Sequence, residues 1–144
     1  MDEMMTTVAN DTFHEVTLDS ALEEAIATVT DSLATEGFGV LTRIDLHEAF
    51  EAKLGIAYRP YAILGACNPA LAHSALEQMP EIGLMLPCNV TVEELEGGGS
   101  RVRFIDPKAV LGGFGGASDP ALDDLAEEAG SRIGRVAAAL AETG

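Results

Sequence analysis

Apolar side chains recur along this chain at two different spacings, and the order in which those spacings alternate limits the fold more than any other feature. Leu22, Ile26, Val29 and Leu33 follow at steps of four, three and four, which sets them on one face of a helix. Leu122, Leu125, Ala129, Ile133, Val136 and Leu140 keep helical spacing near the end of the chain. Val102 and Phe104 alternate instead with Arg101 and Arg103, the two-residue period of a half-exposed strand. Gly97-Gly98-Gly99 turns the chain into that strand, so it pairs with its predecessor as an antiparallel hairpin. Short strands interleaved with helices predict an α+β fold: a largely antiparallel sheet with helices packed on one face, in the order β-α-β-α-β-α-β-β-α.

Local signals place the boundaries. The alternation over residues 12–17 permits a short strand. Asp19-Ser20 followed by Glu23 is a capping box that satisfies two orphan amides, so a helix is expected over 20–36, closed by Gly37 in a left-handed cap. A strand follows over 37–44. Asp45 with Glu48 offers a second capping pair for a short helix ending before Gly55. After the turn at Arg59-Pro60 comes a strand over 61–66. Asn68-Pro69 then opens a helix over 69–79, because Asn caps free amides and Pro at the first helical position has no amide to orphan. Leu71, Ala72, Ala75, Leu76 and Met79 give that helix its apolar face, and Pro80 stops it. Residues 82–95 read as one long strand, with Pro87 marking an edge or a bulge. Asp106-Pro107 starts a turn or short helix through Leu111, a Gly-rich connection spans 112–118, and Asp119-Pro120 opens the last helix. Residues 1–10 have no clear period and are expected to fray. There is no internal repeat, and 144 residues with 47% hydrophobic content suit one domain over 1–144.

Charge narrows the partners. Eight Lys and Arg against 24 Asp and Glu give a formal charge of -16, which repels phosphate backbones and anionic headgroups. Neither nucleic acid nor membrane is an expected partner. Only Lys53 and Lys108 are lysines, and acids line nearly every helix, a pattern suited to a halophilic cytoplasm where molar salt shortens the Debye length to about 3 Å. Asp2 and Glu3 stand where a basic leader region would be, so a cytoplasmic location is expected. The nearly uncharged stretch 61–76 is interrupted by Asn68-Pro69 and His73, too short to span a bilayer.

Chemistry concentrates around two cysteines. Cys67 ends a strand just before a capped helix, where amide donors and the positive end of the helix dipole favour a thiolate. It is equally readable as a small buried hydrophobe. Cys88 sits in a strand beside Pro87 among apolar neighbours. A disulfide, a shared metal and two unrelated core residues all stay open, because strand order sets their separation. For a metal, Cys67 and Cys88 have His73 as nearest histidine, at a spacing that matches no zinc pattern, and there is no CxxC or HExxH. His14 and His47, beside Glu15 and Glu48, read as surface or interface residues. Gly112 to Gly116 lack the Lys and Ser/Thr of a phosphate loop. The acid pairs Glu23-Glu24, Glu93-Glu94, Asp123-Asp124 and Glu127-Glu128 read as solvated faces. Arg59 is the one basic residue beside the candidate site, suited to holding a carboxylate or, more plainly, to a surface ion pair.

Several blocks together resemble the family of domain of unknown function 302. They are Gly37-Phe38-Gly39-Val40, Arg59-Pro60-Tyr61 through Gly65-Ala66-Cys67-Asn68-Pro69, Leu71-Ala72, Glu81 through Leu86-Pro87-Cys88-Asn89-Val90, and Asp106-Pro107. The resemblance runs from about residue 20 to 111 and implies a β-α-β-β-α-β-β type α+β fold and a homodimer, with no established activity. Cys67 and Cys88 fall on the family's cysteines, and Asn68 and Pro69 on the residues after the first. The reading is therefore a homodimeric small-molecule or metal binding or sensing module, with Arg59, Cys67, Asn68 and Cys88 as ligand-binding residues and no identified cofactor. One alternative is a thiol redox or sulfur-transfer enzyme in which Cys67 attacks and Cys88 resolves. Another is a structural or stress-associated domain with buried cysteines. Whether the chain is an enzyme is left open.

Overall fold

Among the described residues six strands form one sheet in the order β1-β2-β6-β5-β4-β3, every neighbouring pair antiparallel. The computed structural model describes residues 8–9, 12–111 and 119–143. The strands are β1 (Val8–Ala9), β2 (Phe13–Leu18), β3 (Gly39–Asp45), β4 (Tyr61–Cys67), β5 (Cys88–Glu94) and β6 (Ser100–Ile105). The helices are α1 (Leu22–Ala34), α2 (Leu46–Leu54), α3 (Pro69–Gln78), α4 (Pro107–Leu111) and α5 (Pro120–Thr143), with a 3-10 turn over Pro80–Met85. The α+β fold with an antiparallel sheet is thus as expected. Val8 and Ala9, expected to fray, pair with Glu15 and His14 of β2. The rest of that terminus and the Gly-rich connection lie outside the described residues.

Strand alternation divides the sheet into two faces. Val16, Val102, Val92 and Ala62 are register partners across four strands, and each is at most 1% exposed. Phe104, Val90 and Leu64 repeat the pattern two residues along, and α1 and α5 cover this face with Leu22, Val29, Leu33, Ile133, Val136 and Leu140. The periodicity that marked these helices also marks their buried stripe. A second cluster lies beyond the β4 and β5 ends, where α3, the 3-10 turn, α4 and the start of α5 bring together Ala75, Ile82, Leu111, Leu122 and Ala126. The opposite face carries charge: Arg103 bridges Glu15 and Glu93, and Arg101 lies 3.8 Å from Glu15.

Three local expectations fail. α1 begins at Leu22, and its cap makes no side-chain hydrogen bond. The Leu22 amide instead donates to Glu94 Oε1 of β5 at 2.9 Å, while Glu23 is held by Arg43 through both carboxylate oxygens. Asp45 precedes α2 without capping it, because its carboxylate accepts from Arg43 Nε at 3.0 Å. The long strand expected over 82–95 is shorter: Pro80–Met85 is a 3-10 turn that buries Ile82 in the second cluster, and β5 begins only at Cys88, after the cis Leu86–Pro87 bond. Proline has no amide to give the ladder, so the two prolines bracket the turn. Gly37 does close α1 at φ +85, with the Phe38 amide donating to the Leu33 carbonyl.

Candidate functional site

β4 runs out of the sheet at Cys67, and Asn68 begins α3 immediately. Asn68 caps that helix as its sequence predicts: its Oδ1 accepts from the Leu71 amide at 3.2 Å, with Pro69 in the first turn. The other end of the same side chain donates to the Glu36 carbonyl at 3.2 Å, just past α1. Arg132 of α5 donates to that carbonyl too, at 3.2 Å, and Arg135 grips the Glu36 carboxylate through two nitrogens. The Arg135 guanidinium holds the Glu36 carboxyl below the usual carboxylate range. One residue therefore ties the start of α3 to α1 and α5, which fixes the rim of the site. Glu36, Arg132 and Arg135 are legible in sequence only as surface charges, since their meeting depends on chain 96 and 99 residues apart.

Inside this rim is a crevice of about 30 Å³ between the ends of β4 and β5 and the helices α3 and α5. Phe38, Ala66, Leu71, Ala75, Leu125 and Ala129 contribute apolar walls, and Cys67, Asn68 and Cys88 line it as well. A single water needs about 10–15 Å³, so the space is small. The helical stripes of α3 and α5 were readable from spacing. That they close over the cysteines was not.

Both cysteines are free, Cys67 half-buried and Cys88 8% exposed. Cys88 pairs across the sheet with Ala66. Strand alternation thus puts Cys88 in phase with the helix-covered face and Cys67, one residue beyond Ala66, in the opposite phase. Burial pushes the Cys88 thiol up to about 11, and the nearby Cys67 and Asp106 add to the rise. At neutral pH it is a protonated, apolar-lying thiol.

The structure does not assemble the full set of residues singled out from sequence. Cys67, Asn68 and Cys88 come together. Arg59 precedes the other end of β4, separated from Cys67 by at least the length of that strand, about 20 Å at the usual strand rise. There it stacks 4.8 Å from the Tyr58 ring centroid and lies 3.5 Å from Glu93, whose side chain is buried. The plainer reading of Arg59 as an ion-pair residue fits this placement. His73 faces solvent on α3, 3.7 Å from Glu77, and does not line the crevice. Among the described residues no group of three or more His, Cys, Asp or Glu is arranged to hold a metal ion. His14 and His47 are more buried than expected: His14 lies 3.6 Å from the buried Asp106, and His47 Nδ1 accepts from the Tyr61 amide at 3.0 Å.

Comparison with known proteins covers nearly the whole chain. The family model for domain of unknown function DUF302 matches residues 14–140, a wider span than the 20–111 over which the motifs are recognisable. A crystal structure of an uncharacterized conserved DUF302 protein from Bacillus stearothermophilus is similar, with 28% sequence identity and a TM-score of 0.77 over 90% of this chain and 98% of that one. No curated protein matches the chain.

Proposed function

The chain belongs to the DUF302 family, and from that premise we propose that it is a homodimeric module that binds a compact, largely apolar small molecule in the crevice at the start of α3. The observation that carries this reading is the lining itself. Apolar side chains from a strand, α3 and α5 converge there with one polar amide, Asn68, and Cys67 and Cys88 also line the space, a mainly apolar lining with few polar groups like that of larger ligand pockets. Asn68 is committed to its neighbours, so it shapes the entrance rather than filling it.

Two features weigh against the thiol-enzyme alternative. A resolving thiol needs an accessible thiolate, and burial keeps Cys88 protonated. A disulfide also needs Cβ vectors that converge, whereas alternation turns these two residues to opposite phases. A metal would find two soft ligands here and, among the described residues, no third.

The test uses xenon under pressure as probe, since apolar protein cavities take it up and a single atom suits so small a space. Saturable xenon-induced NMR shifts at Leu71 and Ala129 are expected in the wild type, lost in Ala72→Phe, whose added ring occupies the crevice, and kept in Arg59→Ala. Absence of saturable shifts in the wild type, or their persistence in Ala72→Phe, would count against the reading.

A further inference from the structure

None of the nine residues of α2 is buried. A helix that short is marginal alone in water, because nucleation is unfavourable and helices in proteins draw their stability from packing. The chain around it is equally uncovered. Seven large hydrophobic side chains are exposed among the described residues, and five of them fall between positions 41 and 58: Leu41, Ile44, Leu54, Ile56 and Tyr58. β3 is also the terminal strand of the sheet, so one row of its N–H and C=O groups faces away from β4. A register shift between Val40 and Thr42 sets Leu41 outside the ladder, and it is 65% exposed.

Charge decides what covers this surface. The chain carries -16 overall, yet residues 39–60 hold Arg43, Lys53 and Arg59 against Asp45, Glu48 and Glu51, a balanced set. Two identical acidic molecules repel each other through most approaches, and least where each presents a neutral, apolar face. An antiparallel edge also meets its own copy across a twofold axis with matching groups on both sides. We infer that a second copy of this chain docks here, β3 edge toward β3 edge, burying Leu41, Ile44, Leu54 and Ile56 and covering α2. The inference rests on the homodimer part of the function proposed above and is independent of its ligand.

Light scattering of the full chain, in dilute buffer and in molar potassium chloride, tests it. The wild type is expected at twice the chain mass, and Leu41→Glu combined with Leu54→Glu at the chain mass with an unchanged circular dichroism spectrum. Leu84→Glu, at an exposed hydrophobic position well outside this segment, is expected to stay dimeric. A wild type at the chain mass in both buffers overturns the dimer and the surface together. A double variant that stays dimeric overturns the surface alone and leaves the dimer standing. Should the double variant unfold, amide exchange in the wild type decides: protection of α2 that falls on dilution supports the surface, and protection independent of concentration overturns it.

Discussion

Cys88 joins burial to pH more directly than any other residue here. Its folded thiol is raised to about 11 from an ordinary value of 9.0, so folding favours the protonated form. Below pH 9 both states are protonated and the contribution is fully present. As pH rises from about 9 to 11 the unfolded chain ionises first, and stability falls by up to about 3 kcal/mol. Urea unfolding between pH 8 and 11 should show that loss in the wild type and lack it in Cys88→Ala, whatever the latter's offset at neutral pH. Exposure also separates the two thiols: iodoacetamide at neutral pH is expected to modify Cys67 well before Cys88, as read by peptide mass spectrometry. Asn68→Ala removes both a helix cap and the tie to Glu36, and an effect at the upper end of the usual range for caps, about 2 kcal/mol, is expected in the same assay. Asn68 was readable as a cap because Asn before Pro has one local use. Its second bond was not, because the Glu36 carbonyl arrives from another part of the chain.

Helix and strand identity came largely from periodicity, and the start of α1 was misread where a local signal had a remote competitor. Ser20 and Glu23 have the spacing of a capping box, yet the α1 amide goes to Glu94, 72 residues away. The sheet holds Glu94 at that helix start, and Arg43 takes Glu23. Glu94→Ala is therefore expected to destabilise the protein by about 1 kcal/mol, and Ser20→Ala by much less, since the Ser20 backbone carbonyl is what Ser100 uses. Gly37 shows the opposite case, a local signal that held. Its φ of +85 is one that side-chain-bearing residues rarely adopt, and an added Cβ would lie 2.9 Å from Asn68 Nδ2. Gly37→Ala should cost about 1–2 kcal/mol and loosen the crevice rim with it. The segment 82–95 misled because apolar residues continue through both the 3-10 turn and β5. Hydrophobicity alone does not tell a buried turn from a buried strand.

Acidity is a property of the whole molecule. All six arginines lie within 4.0 Å of a carboxylate, which leaves the excess negative charge spread over the rest of the surface. Screening of that excess should outweigh the weakening of exposed ion pairs, which are individually worth little. The melting temperature is expected to rise from dilute buffer to molar potassium chloride, and a flat or falling curve would remove the argument for adaptation to salt. No helix among the described residues is long and apolar enough to cross a membrane. The sequence by itself determined the α+β class, the helical stripes of α1 and α5, the turn between β5 and β6, the cap at Asn68 and the charge, because each depends on neighbours within a turn or a strand. Tertiary structure alone decided that Cys67 and Cys88 border one crevice, that Arg59 stands at the far end of β4, and that α2 and β3 are left uncovered. The two spacings that first constrained the fold say which face of each element is apolar. Only strand order and register say which faces meet, since contacts between distant segments are set by the packing of the whole chain and leave no local period to read.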